Sequence, residues 1–276
     1  MWKTFGHKQI TNILEKQLAT GRLPHAYLFY GPEGVGKKML ALEFAKKILD
    51  SEQIARHPDF NLLDVSGEIT VEPTLEFIGK IGFKPFLAAK KVAVINNAQD
   101  LNAQSSNALL KTLEEPAENS ILILVASFGG VLPTIVSRCQ VLRFNFLSGN
   151  ELKNLSQQQN LKVSEEILAL SFGQPSRLIR LCEDGEFLKA EKDSVLAYQQ
   201  ILSQNLGDKF ANLSSLAELE ALEIEGRLKS WLFWQIFRLK KNPLEFARVS
   251  ALLKALLGLR QNFNKKLVMQ KLFLSI

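Results

Sequence analysis

Cysteine and histidine are scarce in this sequence. The 276 residues include two cysteines, Cys139 and Cys182, and three histidines that lie far apart along the chain. Two cysteines exclude a disulfide-stabilised scaffold, and no set of Cys and His residues has the spacing of a zinc finger. We therefore expect a protein of a reducing compartment that has no metal site.

Long apolar runs are also missing. Met1–His7 has no apolar core of the signal-peptide kind, and the run Ile121–Ala126 is far shorter than the roughly 20 residues that cross a bilayer. With 46% apolar and 22% charged residues, the composition is that of a globular protein rather than a disordered one. We expect a cytoplasmic protein of two or three domains, with no membrane partner.

Acidic residues are nearly absent from the C-terminal region. The net charge is +6, but residues 227–276 hold eleven lysines and arginines against one acid, Glu245, so the remainder is slightly acidic. We favour a solvated helical face for this basic region. A surface for nucleic acid or for an acidic partner is the alternative, although no aromatic residues of an RNA-binding motif accompany it.

The sequence does contain an alternation of strand and helix patterns up to about residue 148. Apolar residues at helical spacing predict helices, and short apolar runs predict buried strands. Helices are predicted at 8–20, 37–50 and 102–115, and strands at 26–30, 91–95, 121–126 and 141–144. This alternation indicates an α/β domain with a parallel sheet of four strands covered on both faces.

Strand patterns stop after this region. Residues 149–185 predict short helices with Gly173-Gln174-Pro175 between two of them, and the pattern from residue 186 onward is helical. We therefore predict three domains: an α/β domain at 1–148, a small helical domain at 149–185 and an all-helical domain at 186–276. The apolar residues expected on the inner face of the last helix are Phe263, Leu267 and Leu274.

The strongest motif is Gly31-Pro32-Glu33-Gly34-Val35-Gly36-Lys37-Lys38, which matches GxxxxGK between a predicted strand and a predicted helix. Glycines in such a loop let backbone N–H groups cradle phosphate oxygens, and the lysine reaches the β and γ phosphates. The candidate phosphate-binding residues are Gly31, Gly34, Gly36, Lys37 and Lys38.

The sequence differs from that of an ATP-hydrolysing P-loop protein at two places. Lys38 occupies the position at which Ser or Thr supplies a hydroxyl to magnesium. Asn96 and Asn97 follow the predicted strand 91–95, where a carboxylate is expected, and an amide cannot act as a base or balance metal charge. We predict no hydrolysis, and we leave open weak, magnesium-independent binding of ATP or ADP.

Four stretches carry a resemblance to a known family. They are Gly21–Phe29, His57-Pro58-Asp59, Asn107–Pro116 and Leu132–Cys139. Over about residues 1–180 the chain resembles the bacterial clamp-loader subunits of the AAA+ class, which belong to DNA polymerase III. This resemblance implies a P-loop AAA+ domain, followed by a helical lid domain and a helical collar domain that mediates oligomerisation.

The resemblance also implies roles for single residues. Arg138, in Ser137-Arg138-Cys139, corresponds to an arginine finger offered in trans to the ATP site of a neighbouring subunit. Arg177 resembles the lid arginine that senses nucleotide, with a structural ion pair as the alternative. Relatives often carry a four-cysteine zinc module before His57, but Asp50–Arg56 has no cysteine, so no zinc is expected. Phe128 does not match a polar nucleotide sensor.

The function implied by the resemblance is that of a clamp-loader subunit that does not hydrolyse ATP itself. Its implied partners are ATPase subunits of the gamma/tau type, a delta subunit, the sliding clamp and primed DNA. One alternative is an active motor ATPase of the same loader, which Lys38, Asn96 and Asn97 disfavour. The other is a DNA-binding module that uses the basic C-terminal region.

Overall fold

The chain forms two compact units. A computed structural model describes residues 2–205, 207–209, 219–239, 245–261 and 263–276. The first unit contains the residues up to Glu151 together with Gln174–Ser176, and the second contains Leu152–Gly173 and Arg177–Ile276. The finer division of the chain into three domains stays a prediction.

The first unit is built on a parallel sheet with the strand order β2-β3-β4-β1-β5. Its strands are β1 (Ala26–Tyr30), β2 (Phe60–Leu63), β3 (Lys91–Ile95), β4 (Ser120–Ala126) and β5 (Gln140–Arg143). Its helices are α1 (Lys8–Thr20), α2 (Lys37–Leu49), α3 (Val71–Gly82), α4 (Ala103–Glu114) and the short α5 (Pro133–Val136). The predicted α/β fold with a parallel sheet is confirmed.

Apart from their first residues, Lys91 and Ser120, strands β3 and β4 are apolar, because helices cover both faces of the sheet. Alternate residues of β1 belong to different cores: Tyr27 and Phe29 pack in one cluster, and Ala26 and Leu28 pack in the other. Every residue of β3 and β4 is buried. A short apolar run without polar alternation is therefore the correct pattern for these strands.

The prediction of four strands was wrong by one, because β2 lies at the edge of the sheet. It pairs only with β3 and contains the partly exposed Asn61 and Leu62, so it lacks the continuous apolar run of a central strand. Helix α3, which follows β2, was not predicted either. Pro73 lies in its first turn, where the missing N–H has no helical partner, so the proline does not interrupt the helix.

Described helices of the second unit begin with α6, whose first residues belong to the first unit. They are α6 (Gly149–Gln158), α7 (Glu165–Ser171), α8 (Pro175–Glu183), α9 (Gly185–Ser203), α10 (Ala221–Leu239), α11 (Phe246–Arg260) and α12 (Lys265–Ser275). The core contains Trp231, whose ring stacks on Tyr198 at 4.9 Å and whose Nε1 donates to the Ser194 carbonyl at 2.8 Å. None of the helices described is long and apolar enough to cross a membrane.

The inner face predicted for the last helix was wrong. Phe263, Leu267 and Leu274 are 61%, 64% and 63% exposed. Met269, Leu272 and Phe273 are buried instead, at the i, i+3 and i+4 spacing of one helical face. Because apolar residues occur all round α12, spacing alone did not identify the face that packs on its neighbours.

Candidate functional site

The candidate site lies at the edge of the sheet where β1, β3 and β4 end. The register aligns Tyr30 with Ala126 and Ile95 with Leu124, so the residues that follow these strands come together. They line a cavity of about 300 Å³. Its lining contains Glu33, Gly34, Gly36, Lys37, Lys38, Met39, Asn96, Asn97, Val125, Ala126, Ser127 and Ser176.

The glycines of the motif are required by the backbone of this loop. Gly31 has φ 155°, and a Cβ atom built on it would lie 2.3 Å from the carbonyl oxygen of Phe144. Gly34 and Gly36 also have positive φ values, and Gly36 precedes the first residue of α2. A helix N-terminus after such a loop presents free backbone N–H groups, which is the arrangement that binds phosphate.

Lys37 is buried at the base of the loop. Its Nζ donates to the carbonyl oxygens of Gly31, at 2.9 Å, and of Pro32. Burial lowers the pKa of Lys37 to about 8, and the nearby Glu33 charge opposes this shift. Both of these acceptors are neutral backbone carbonyls rather than carboxylates, so the ammonium would gain charge neutralisation from a phosphate.

Lys38 has a carboxylate partner that the sequence analysis missed. Its Nζ forms an ion pair with Asp64, the residue that follows β2. The hydrogen bonds from Lys38 and from Asn96 hold the pKa of the Asp64 carboxyl below its ordinary value. The signal in the sequence was a carboxylate directly after a strand, and it went unnoticed because β2 itself was not predicted.

Asn96 and Asn97 follow β3, as predicted, and neither supplies a carboxylate. Asn96 Nδ2 donates to Asp64 Oδ1 at 2.7 Å. Asn97 adopts a left-handed conformation with φ 56° and begins the short turn Ala98–Asp100. The site therefore presents an ammonium and two amides where a P-loop ATPase presents a hydroxyl and carboxylates, and the nearby Asp64 carboxylate is already paired with Lys38 and Asn96.

The loop after β4 is fixed by polar contacts to its backbone. Ser127 N donates to Gln99 Oε1 at 2.9 Å, and Gly129 N donates to the Tyr30 hydroxyl at 3.1 Å. Phe128 is 60% exposed, with its ring edge-on to Tyr30 at 5.3 Å. Ser127, rather than Phe128, is the residue of this loop that lines the cavity.

Ser176, like Asp64, is a residue of the candidate site that the sequence analysis did not identify. It lines the cavity. Its Oγ donates to the carbonyl oxygen of Gly34 at 2.9 Å, and a Cβ atom on Gly34 would lie 2.8 Å from that Oγ. The segment Gln174–Ser176 belongs to the first unit and contacts the glycine-rich loop.

Arg138 lies just after α5 and is 35% exposed at its side chain. Its Nη2 donates to Glu114 Oε1 at 2.6 Å, and its Nη1 donates to the Thr134 carbonyl at 3.0 Å. Glu114 is the last residue of α4, so two of the four stretches that carry the family resemblance meet at this ion pair. The role of Arg138 as a finger stays a prediction.

Arg177 is held by the second unit. Its Nη2 lies 2.7 Å from Glu191 Oε2, and its Nε donates to the Leu170 carbonyl at 2.7 Å. The guanidinium carbon lies 5.5 Å and 5.1 Å from the ring centres of Phe187 and Phe233. These contacts are those of the structural ion pair named as the alternative, and the sensor role stays a prediction.

Asp59, from the His57-Pro58-Asp59 stretch, has a structural task. Its carboxylate is fully buried and accepts hydrogen bonds from the backbone N–H groups of Phe86, Leu87 and Ala88 at 2.6–2.8 Å. Burial by itself would raise the pKa of Asp59, but these three hydrogen bonds outweigh it and lower the pKa. The residue anchors the segment that leads into β3.

The basic C-terminal region carries internal ion pairs. Arg227 pairs with Glu223, Lys229 with Glu225, and Arg248 with Glu245. Lys240 and Lys241 lie outside the described residues. Because acids just upstream neutralise part of the charge, these contacts give the DNA-binding alternative no added support. In the part of the chain that the structure describes, no three Cys, His, Asp or Glu residues are grouped as metal ligands, and the absence of zinc stays a prediction.

The comparisons with known proteins agree with this architecture. A DNA polymerase III subunit delta' of Bacillus subtilis is 27% identical over 76% of this chain and 69% of its own length. A subunit delta' of Pseudomonas aeruginosa is 30% identical over 66% of this chain and 62% of its own length. A solved gamma subunit-related protein of Thermotoga maritima shares the fold, with TM-score 0.54, 18% identity and coverage of 95% of this chain and 97% of that one.

The family model described as DNA polymerase III, delta subunit, matches residues 6–148, which is just over half of the chain. These residues contain the sheet, the glycine-rich loop Gly31–Lys38 and Arg138. The chain therefore belongs to the family of DNA polymerase III delta subunits, and the resemblance that its sequence showed to this group of clamp-loader proteins is confirmed.

Proposed function

We propose that this chain is a clamp-loader subunit of DNA polymerase III that does not hydrolyse ATP and that supplies Arg138 to the ATP site of a neighbouring subunit. Family membership supports the clamp-loader assignment. The single observation that carries the absence of hydrolysis is the ion pair between Lys38 and Asp64, with Asn96 bonded to the same carboxylate.

Hydrolysis of ATP needs a metal ion that bridges the β and γ phosphates and a group that orients or deprotonates the attacking water. Lys38 removes the metal-binding hydroxyl, and both oxygens of Asp64 already have partners. The amides of Asn96 and Asn97 cannot take a proton from water. The alternative of an active motor ATPase therefore fails at two separate positions of one site.

The surroundings of Arg138 support a role outside this chain. A guanidinium is planar, stays charged and matches phosphate oxygens, which makes it suited to developing phosphoryl charge. Arg138 is partly exposed, and its carboxylate partner Glu114 is itself 50% exposed, so the pair can open at little cost. A finger directed at the chain's own site would have no reaction to stabilise.

The proposal includes the partners that the family implies. They are ATPase subunits of the gamma/tau type, a delta subunit, the sliding clamp and primed DNA. Residues 1–148, 149–185 and 186–276 would serve as the P-loop domain, the lid and the collar that joins the subunits.

Reconstitution of the complete loader tests the role of Arg138. Arg138→Ala and Arg138→Lys should both assemble with the other subunits, and both should lower ATPase activity and clamp loading. A finger can contribute roughly 10³–10⁵ in rate at its own site. The loss for the whole ring is smaller, because the other sites keep their fingers. Arg143→Ala removes an exposed arginine of β5 in the same unit and is the matched control.

Two results would contradict this proposal. Arg138→Ala that assembles, as judged by a sizing column, and hydrolyses at the unmutated rate would leave Arg138 as a structural cap of α5. An equal loss in Arg143→Ala would point to a general effect of charge.

A separate measurement on the purified chain tests the absence of hydrolysis. Phosphate release should stay at background with and without primed DNA and clamp. Turnover that Lys37→Ala abolishes would show a working site, whereas turnover that survives Lys37→Ala would come from a contaminant.

A further inference from the structure

The phosphate-binding cavity combines groups that attract anions with groups that exclude a divalent cation. Lys37, Lys38 and the N-terminus of α2 are positive, and Glu33 is the one acidic residue of the described lining. Aspartate and glutamate oxygens are the ligands that magnesium prefers in proteins. The cavity thus has the positive groups with which a P-loop binds phosphate, but it lacks the hydroxyl and the carboxylate with which a P-loop ATPase binds magnesium.

The residues that stand in place of the metal ligands are held by specific contacts. The Lys38 ammonium pairs with Asp64 Oδ2, and Asn96 Nδ2 donates to Asp64 Oδ1 at 2.7 Å. Asn96 N also donates to the Leu63 carbonyl at 2.9 Å, which joins the ends of β2 and β3. A carboxylate from one strand and an amide from the next therefore hold a positive charge beside the phosphate loop.

We propose that the Lys38 ammonium takes the place of the divalent cation, so that the cavity binds the polyphosphate of a nucleotide in its metal-free form. Lys37 and Lys38 are then the two cations of the site, and Asp64 and Asn96 position Lys38. The inference rests on the proposed loss of hydrolysis but is independent of Arg138.

Two consequences distinguish this site from an ordinary P-loop. Magnesium bound to ATP cancels part of the charge that the two lysines recognise, and Lys38 repels the ion itself. Metal should therefore weaken binding instead of strengthening it. A hydroxyl at position 38 would release Asp64 and supply a metal ligand, so the preference should reverse.

Calorimetric titration of the full chain with ATP, in excess EDTA and in excess Mg²⁺, measures this preference. The unmutated chain should bind ATP more tightly in EDTA by about tenfold, the loss expected for one charge-assisted contact. Lys38→Thr should bind more tightly in Mg²⁺ than in EDTA. Lys38→Ala should lose the preference without reversing it, and Lys37→Ala should not bind in either buffer.

Lys47→Thr is the matched control, because Lys47 lies at the other end of α2, with its Nζ 4.9 Å from the centre of the Trp2 ring. It should keep the preference of the unmutated chain. Inorganic tripolyphosphate should displace ATP in EDTA, because the proposed contacts are made to the phosphates rather than to the base or the ribose. Circular dichroism and thermal unfolding identify any variant that has not folded, and Lys38→Ala then replaces Lys38→Thr.

Binding of ATP by the unmutated chain only in Mg²⁺ would overturn the proposal, and so would no binding at millimolar ATP in EDTA. A Lys38→Ala variant that keeps the tenfold preference would overturn it as well. Each of these results leaves the Arg138 experiment on the assembled loader unaffected, so failure of this inference is distinguishable from failure of the proposed function.

Discussion

Arg138 and Arg177 present the same chemical group in opposite surroundings. Arg138 is 35% exposed and pairs with a carboxylate that is 50% exposed. Arg177 is 16% exposed, pairs with a carboxylate that is 11% exposed, and lies near two phenylalanine rings. Both ion pairs are short, at 2.6 Å and 2.7 Å, so distance alone does not separate them.

The difference lies in the cost of exchanging the partner. Exposed ion pairs contribute about 0–1 kcal/mol, because water solvates both groups when they separate. A buried pair that loses one member leaves a charge without solvent, which costs several kcal/mol. Arg138 can therefore exchange Glu114 for another anion at little cost, whereas Arg177 cannot leave Glu191 without a large loss of stability in the second unit.

The largest effect that would sharpen this comparison is expected for Arg177→Ala. Its removal leaves the Glu191 carboxylate buried without its cationic partner and leaves a cavity beside Phe187 and Phe233. The free energy of unfolding should therefore fall by about 3–5 kcal/mol. Chemical denaturation followed by tryptophan fluorescence measures this, since Trp231 is buried in the same unit.

Arg180→Ala is the control for that measurement. Arg180 lies on the same helix, its ion pair with Asp184 is largely exposed, and its guanidinium carbon lies 4.0 Å from the centre of the Phe187 ring. An exposed ion pair and an exposed cation–π contact together contribute about 1–2 kcal/mol, so its loss should cost less than that of Arg177. Equal effects of the two substitutions would remove the distinction between a buried and an exposed arginine.

An intermediate effect is expected for Asp59→Asn, which keeps the shape of the side chain but removes its charge. Three backbone donors lose an ionised acceptor, and we expect a loss of about 2–3 kcal/mol. The lowered pKa of Asp59 means that its contribution is present above the unfolded pKa, near 4, and is lost as pH falls through the folded pKa.

Thermal unfolding from pH 7 down to pH 3 tests the Asp59 prediction. The unmutated chain should lose stability below about pH 4, and Asp59→Asn should lose less over the same interval. Parallel curves for the two proteins would show that Asp59 is not the group that titrates.

The smallest effect on stability is expected for Arg138→Ala. Its pair with Glu114 is exposed, so unfolding free energy of the isolated chain should change by less than about 1 kcal/mol. Urea denaturation of the same preparation that is used for reconstitution gives this value. A larger loss would make Arg138 structural and would weaken its assignment as a finger.

The sequence predicted the features that depend on local pattern. The P-loop, α2 and the central strands follow from residues that are neighbours along the chain, and the structure has them where the pattern predicts. The ion pairs of Lys38 with Asp64 and of Arg177 with Glu191 were not predicted. Each joins residues that are distant in sequence, so the pairing depends on how the segments pack and not on the local pattern. Edge strand β2 escaped prediction because it carries too little apolar pattern, and the inner face of α12 was wrong because its apolar residues surround the helix.

The strand order has a consequence for how the site forms during synthesis. Strand β1 pairs with β4 and β5 and has no partner among residues 31–119. The ribosome therefore releases the glycine-rich loop Gly31–Lys38 long before the strands that pair with β1, and closing so long a connection costs chain entropy before any pairing compensates. A fragment that ends before β4 should remain unfolded around Lys37, and an ordered loop should form only once the chain extends at least to Arg143.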